Sequence, residues 1–207
     1  MSWTHRLNFV YNIIMKKAYS LIVNLSGEQY KYVRSLQKEV STLTNARRSM
    51  EDWLPHITIG DGPLLSEEEM SIYEKELTSL CMTQKKVVAR LKGFTGIDNW
   101  KGAQLGLSPY VVWIDVEVSE DLKNLFEKLK DSITSKYEAW LPRAVNYTPH
   151  VTLAFADLTK EGYEKSLELL KTKTVNEEFI IDNITIVECY GEDKMTSAEY
   201  KRFYFDA

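Results

Sequence analysis

The chain has 207 residues, of which 44% are apolar, 12% aromatic and 27% charged. That is material for one compact domain or two small lobes sharing a core, without the bias of disordered, collagen-like or membrane chains. With 26 basic against 30 acidic residues and a formal charge of −4, it lacks the footprint of a general nucleic-acid binder, so any RNA or nucleotide contact must be local.

Residues 1–17 form a leader. Its apolar stretch, Leu7 to Met15, is interrupted by Asn8 and Asn12, is followed by Lys16 and Lys17, and lacks a small-residue cleavage site. It reads as neither a signal peptide nor a membrane span, and it is expected to dock on the body. Tyr19 to Leu25 reads as a strand, followed by a helical stripe at Tyr30, Val33, Leu36, Val40 and Leu43. A loop with Arg47, Arg48 and Trp53 leads into Pro55-His56-Ile57-Thr58-Ile59, a short β-rich run. A second stripe at Met70, Tyr73, Leu77 and Leu80 follows the Ser66/Glu69 capping-box pattern. A strand near Val87 to Leu91 closes this unit.

The second half replays the order. Val112, Ile114, Val116 and Val118 alternate as a half-buried strand, and Ser119 is placed to cap a helix carrying Leu122, Leu125, Leu129 and Ile133. A loop with Arg143 and Tyr147 delivers Pro149-His150-Val151-Thr152-Leu153. A helix with Tyr163, Leu167 and Leu170 comes next, then strands around Phe179 to Ile181, Ile184 to Tyr190 and Tyr200 to Phe205. Spacings agree: Leu36 to His56 is 20 residues and Leu129 to His150 is 21, while His56 to Leu77 is 21 and His150 to Leu170 is 20. This is an internal duplication. The expected fold is α+β and bilobal, with a pseudo-twofold: two antiparallel-rich sheets with outer helices around a central cleft. The units are 18–100 and 101–207, with the boundary near residues 95 to 108.

Side chains alternate across a strand, so His56 and Thr58 share one face while Ile57 and Ile59 point to the other. His150 and Thr152 sort likewise against Val151 and Leu153. Imidazole and hydroxyl then stand roughly 7 Å apart at the backbone, and two such strands would surround one small anion, a phosphate being the natural candidate. Phosphodiester cleavage needs a base for the attacking oxygen and an acid for the leaving oxygen on opposite sides of phosphorus. Imidazoles titrating near pH ~6.5 can take both parts, with the threonine hydroxyls on the non-bridging oxygens. Two of the three histidines fall in these matched frames; the third, His5, sits in the leader and is assigned no role.

The tetrads P-H-I-T-I and P-H-V-T-L resemble the paired H-x-T motifs of the 2H phosphoesterase superfamily, which includes the 2′-5′ RNA ligase-like proteins and cyclic phosphodiesterases. The resemblance covers residue 18 to about residue 205. It implies metal-independent action, without a cofactor, on 2′,3′-cyclic or 2′-5′ phosphodiester bonds of RNA ends or nucleotides. It also implies His56 and His150 as the acid/base pair and Thr58 and Thr152 as phosphate-binding hydroxyls, and it leaves open which histidine is acid. Many relatives carry a basic residue where this chain has Phe155; strict alternation points Phe155 to the core and sets Ala154 beside the site. A phosphate contact could instead come from Arg47, Arg48 or Arg143, and Trp53 and Tyr147 could stack on a base.

No G-x-S-x-G elbow, Walker A loop, G-x-G-x-x-G or H-E-x-x-H occurs. A zinc site on His56 and His150 would need further ligands, and although Asp61 is near one tetrad, nothing comparable follows the other. The rival reading is a non-catalytic module that binds RNA ends or phosphorylated small ligands on the same fold. No DNA or membrane partner is expected, the chain is expected to be a monomer, and Cys81 and Cys189, the only cysteines and without C-x-x-C spacing, suit a reducing, cytoplasmic home.

Overall fold

Ser66 and Glu69 form the anticipated capping box, Ser66 Oγ accepting from the Glu69 N–H and Glu69 from the Ser66 N–H. Ser119 Oγ likewise accepts from the Leu122 N–H, and Thr159 caps a third helix. Each satisfies backbone donors that a helix start leaves orphaned. A computed structural model of the chain describes residues 16–60, 62–101, 106–140 and 148–206. The elements run β1 (Lys17–Asn24), α1 (Gly27–Thr44), α2 (Arg48–Glu51), β2 (His56–Gly60), β3 (Leu64–Leu65), α3 (Glu67–Cys81) and β4 (Val87–Ile97). They continue through β5 (Ser108–Glu117), α4 (Glu120–Ser132), β6 (His150–Ala156), α5 (Lys160–Lys171), β7 (Asn176–Ile181), β8 (Asn183–Tyr190) and β9 (Thr196–Tyr204).

The strands lie in the order β7-β4-β5-β6-β2-β1-β8-β9, with β3 paired to β1, and the pairings described are antiparallel. The two halves of this sheet meet where β2 and β6 pair at Ile57 and Val151. A pseudo-twofold through that seam relates β2 to β6, β1 to β5, β8 to β4 and β9 to β7.

The connection between β4 and β5 falls in the boundary expected near residues 95 to 108, yet the repeats are interlocked. β4 closes the first repeat but pairs with β5, and β8 from the second pairs with β1. The helices cross as well: α1 follows β1 but packs on β6 and α5, and α4 follows β5 but packs on β2. The units 18–100 and 101–207 are therefore a different partition from the two half sheets.

One large core unites the molecule. Val33, Leu36 and Val40 of α1, Leu122, Leu125 and Leu129 of α4, and Ile57, Ile59, Val151 and Leu153 of the histidine strands belong to a single buried cluster. Burying each such leucine fully contributes roughly 1.5–3 kcal/mol. This fixes which face of β2 and β6 is left for the polar residues.

A bulge changes the phase of β6. Trp113 opposes Thr152 but Val112 opposes Ala154, so Leu153 is the extra residue. Leu153 and Ala154 both enter the core, at 1% and 2% exposure, and Phe155 returns half-buried to the face of His150 and Thr152, its ring edge-on to Trp100 at 5.8 Å. The expectation from strict alternation, Phe155 inward and Ala154 beside the site, is corrected by this one inserted residue. At the bulge, buried Gln37 of α1 donates through Nε2 to the Thr152 carbonyl at 2.9 Å, while Arg34 donates to Gln37 Oε1 at 2.9 Å and to the Met50 carbonyl.

Replacing Gln37 by leucine keeps the volume but strands the Thr152 carbonyl and one Arg34 donor. A loss of about 1–3 kcal/mol in urea unfolding is expected, and an unchanged midpoint would show that the clamp is dispensable.

Candidate active site

Side chains opposite in an antiparallel pair are close neighbours. Continuing the register from Ile57 and Val151 brings His56 beside Thr152 and Thr58 beside His150, with the imidazoles on the diagonal, roughly 7–8 Å apart at Cβ. The two expected pairs thus form one quartet on one face. Both histidines and Thr152 are half-buried and Thr58 is exposed.

The imidazoles are held alike. His56 Nδ1 lies 2.8 Å from the Leu54 carbonyl and His150 Nδ1 lies 2.8 Å from the Thr148 carbonyl. A carbonyl only accepts, so each Nδ1 carries a proton and donates it, leaving Nε2 as the nitrogen with the open lone pair in the neutral ring. Among the described residues neither Nε2 and neither threonine hydroxyl has a hydrogen-bond partner. Each ring also rests on an indole: Trp53 stacks on His56 at 4.8 Å and 29°, and Trp113 lies against His150 at 4.8 Å and 37°.

Burial between these walls lowers both pKa values. His56 is pushed down to about 4 by desolvation, with His150 adding to the fall and the Leu54 carbonyl opposing it. His150 is lowered by desolvation, opposed by the Thr148 carbonyl and by Asp115. Both rings are accordingly largely neutral near pH 7.

Trp53, a candidate for stacking on a base, has one face taken by His56. Its Nε1 donates to the Met195 carbonyl at 2.7 Å, and it walls a cavity of about 160 Å³ with Ile22, Asn24, Arg34, Leu54 and Glu199. Arg48 is unavailable to an anion: it pairs with Asp193 and with Asp52. Asp157, just beyond β6, accepts the backbone N–H groups of Arg47 and Arg48, which ties the loop before β2 to the opposite half sheet. Arg47 itself is exposed beside Glu51. Arg143, Tyr147 and Asp61 lie outside the described residues, as do residues 1–15 of the leader.

Sequence reasoning missed Trp113 and Asp115. Both lie on the β5 face opposite the apolar series Val112, Ile114 and Val116, and only the cross-strand register to Thr152 and His150 reveals them. Among the described residues no three His, Cys, Asp or Glu side chains gather as a metal-ligand group, and no helix is long and apolar enough to cross a membrane.

Residues 32–193 match the model of the 2′-5′ RNA ligase superfamily. Solved structures share the fold at low identity. Escherichia coli LigT, in a structure complexed with 3′-AMP, superposes with a TM-score of 0.63 at 12% identity, covering 93% of this chain and 99% of LigT. TT0787 of Thermus thermophilus gives 0.54 at 19% identity, with 91% and 97% covered. Kluyveromyces marxianus Usb1 gives 0.50 at 14% identity, with 90% and 98% covered. A search of curated proteins finds no match.

The His56 shift has a consequence for stability. Between its ordinary pKa near 6.5 and about 4, the unfolded chain binds a proton that the folded chain refuses, so stability falls as pH drops through this window. The urea midpoint should decline from pH 7.5 to pH 5, and decline less in His56→Gln; equal declines would contradict the burial account. The family match over most of the chain, on the LigT-like fold, makes this protein a member of the 2′-5′ RNA ligase superfamily of 2H phosphoesterases.

Proposed function

We propose that the protein hydrolyses 2′,3′-cyclic or 2′-5′ phosphodiester bonds of RNA ends or nucleotides, with His56 and His150 as the acid/base pair. The observation that carries this reading is the matched pair of Nδ1-anchored imidazoles on one diagonal. Among the described residues each leaves its Nε2 without a hydrogen-bond partner, and two such nitrogens on one sheet face are what in-line displacement at phosphorus asks of two proton carriers. A water oxygen bonds to phosphorus as one Nε2 takes its proton. The bond from phosphorus to the ribose oxygen breaks as the other Nε2 protonates that oxygen. The product is a phosphomonoester with a free hydroxyl, and the two imidazoles end with exchanged proton states, which solvent resets.

Thr58 and Thr152 donate to the non-bridging oxygens, where charge grows in the transition state. Phe155, edge-on to Trp100, presents an aromatic surface where a cation would hold phosphate, so this rim suits a base or ribose. The complexes of LigT with 3′-AMP and with phosphate support a nucleotide-sized ligand. Neither a metal nor a cofactor is part of the proposed chemistry. We place the protein in a reducing compartment, the cytoplasm, where Cys81 and Cys189 stay free and buried, and as a monomer.

Turnover of a panel of 2′,3′-cyclic mononucleotides and 2′-5′-linked dinucleotides in EDTA tests this. His56→Ala and His150→Ala should each lower kcat by about 10²–10⁴-fold with modest change in ligand affinity. A wild type that binds these ligands without turning any over would favour the binding-module reading instead.

A further inference from the structure

The pseudo-twofold that makes the two imidazoles alike does not extend to the residues that face them: Trp113 of β5 is matched by Ile22 of β1, and the residue opposite each histidine differs in charge. In the second half sheet Asp115 stands opposite His150 across the β5–β6 ladder, and Thr95 stands opposite Trp113 across the β4–β5 ladder. In the first half sheet Asn24 stands opposite His56 across β1–β2, and Thr185 stands opposite Ile22 across β1–β8. The symmetry thus superposes a Thr95, Asp115, His150 triplet on a Thr185, Asn24, His56 triplet. The two differ at the middle position, a carboxylate in one and an amide in the other.

The contacts at each middle residue match that difference. Asp115 accepts on both oxygens, from Trp113 Nε1 at 2.8 Å and from Thr95 Oγ1 at 2.7 Å. Gly93, with φ +85°, sits at the β4 bulge that sets this register and has its Cβ position 3.6 Å from Asp115 Oδ2. Asn24 donates instead, from Nδ2 to Thr185 Oγ1 at 3.2 Å and to Glu199 Oε2 at 3.4 Å, and Thr185 donates its own proton to Asn183. A carboxylate at position 24 would face Glu199 with no proton to offer. The neutral side and the charged side are therefore each built by their own neighbours.

We infer that Asp115 is a positioning residue that divides the labour between the two imidazoles, holding His150 as the proton donor and leaving His56 as the proton acceptor. This rests on the two-histidine reading above. Asp115 does not orient His150, since the Thr148 carbonyl already takes the Nδ1 proton. It acts through space, beside an indole that is itself 7% exposed and shields one face of the ring. An opposite charge at such range favours the imidazolium. Among the described residues the charged and titratable groups around the pair are Asp115 on β5, the other histidine across the seam and, on the His56 side beyond Asn24 and Trp53, Glu199 of β9 with its partner Arg202, Arg34 of α1, Glu51 and Asp52. Burial lowers both rings, with Asp115 opposing the fall at His150 and His150 deepening it at His56. Directional chemistry follows: water gives its proton to His56, and the leaving ribose oxygen takes one from His150.

The test is a ¹⁵N-edited NMR titration of the imidazoles of the full chain without ligand, using wild type and Asp115→Asn, with assignments from His56→Ala and His150→Ala. In wild type His150 should protonate at a higher pH than His56. In Asp115→Asn the His150 midpoint should fall by about one pH unit, while His56, which faces Asn24, does not fall with it and can only rise as the repulsion from His150 is relieved. In the pH profile of kcat/KM on a cyclic mononucleotide, the limb that requires the protonated group should shift by the same amount and the other limb should not fall with it. A merely structural role would lower turnover without moving one limb alone. The inference is overturned if His56 protonates first, or if Asp115→Asn moves neither histidine. The wild-type order does not depend on Asp115→Asn folding, and the titration stands even if no substrate is turned over, so failure of the phosphoesterase reading remains distinguishable.

Discussion

Ile57 and Val151 face each other where the two half sheets meet, both fully buried in the core shared by α1 and α4. Because side chains alternate, burying these two apolar residues forces His56, Thr58, His150 and Thr152 onto the opposite face. The helices that press on the seam come from the opposite repeats, α1 onto β6 and α4 onto β2. Neither half can move its histidine without disturbing the other. The placing of the polar quartet is thus a by-product of how the core closes, and its backbone is as rigid as the core itself.

A second layer tunes what that geometry holds. Backbone carbonyls two residues upstream fix both tautomers, and indoles from different elements, the loop before β2 and strand β5, flank both rings. The Trp53 loop needs more support than the Trp113 strand. It receives it from Asp157 just beyond β6, from the turn between β8 and β9, where Arg48 meets Asp193, and from the start of β9, where Ser197 donates to the Asp52 carbonyl. The result is a pair of imidazoles that are pre-positioned and desolvated in the protein without ligand, the condition under which fixed dipoles act most strongly on charge.

Much of this architecture was legible in local pattern. The caps at Ser66 and Ser119, the stripes of α1, α4 and α5, and the alternation of both H-x-T tetrads all depend on neighbours within a few residues, and they are observed except at Leu43, the last member of the α1 stripe, which is exposed. What escaped depends on partners far along the chain. Period-two reasoning assumes an unbroken pleat, so the bulge at Leu153 reversed the facing of Ala154 and Phe155. The exchange of β4 and β8 between half sheets leaves no trace in either strand's own residues. Asp115 looks like the solvated member of an apolar alternation until the register places it against His150. Arg48 looks like a candidate phosphate contact, because nothing near it in sequence announces Asp193.

The central claim is that the two imidazoles flank one phosphorus atom along the line of displacement. A crystal structure with a nucleoside vanadate, which mimics the five-coordinate transition state, tests it directly. The account predicts vanadium centred between the two Nε2 atoms, one hydrogen-bonded to each apical oxygen, with the Thr58 and Thr152 hydroxyls on equatorial oxygens. Vanadate engaged by only one histidine, or seated away from the Ile57–Val151 seam, would contradict it.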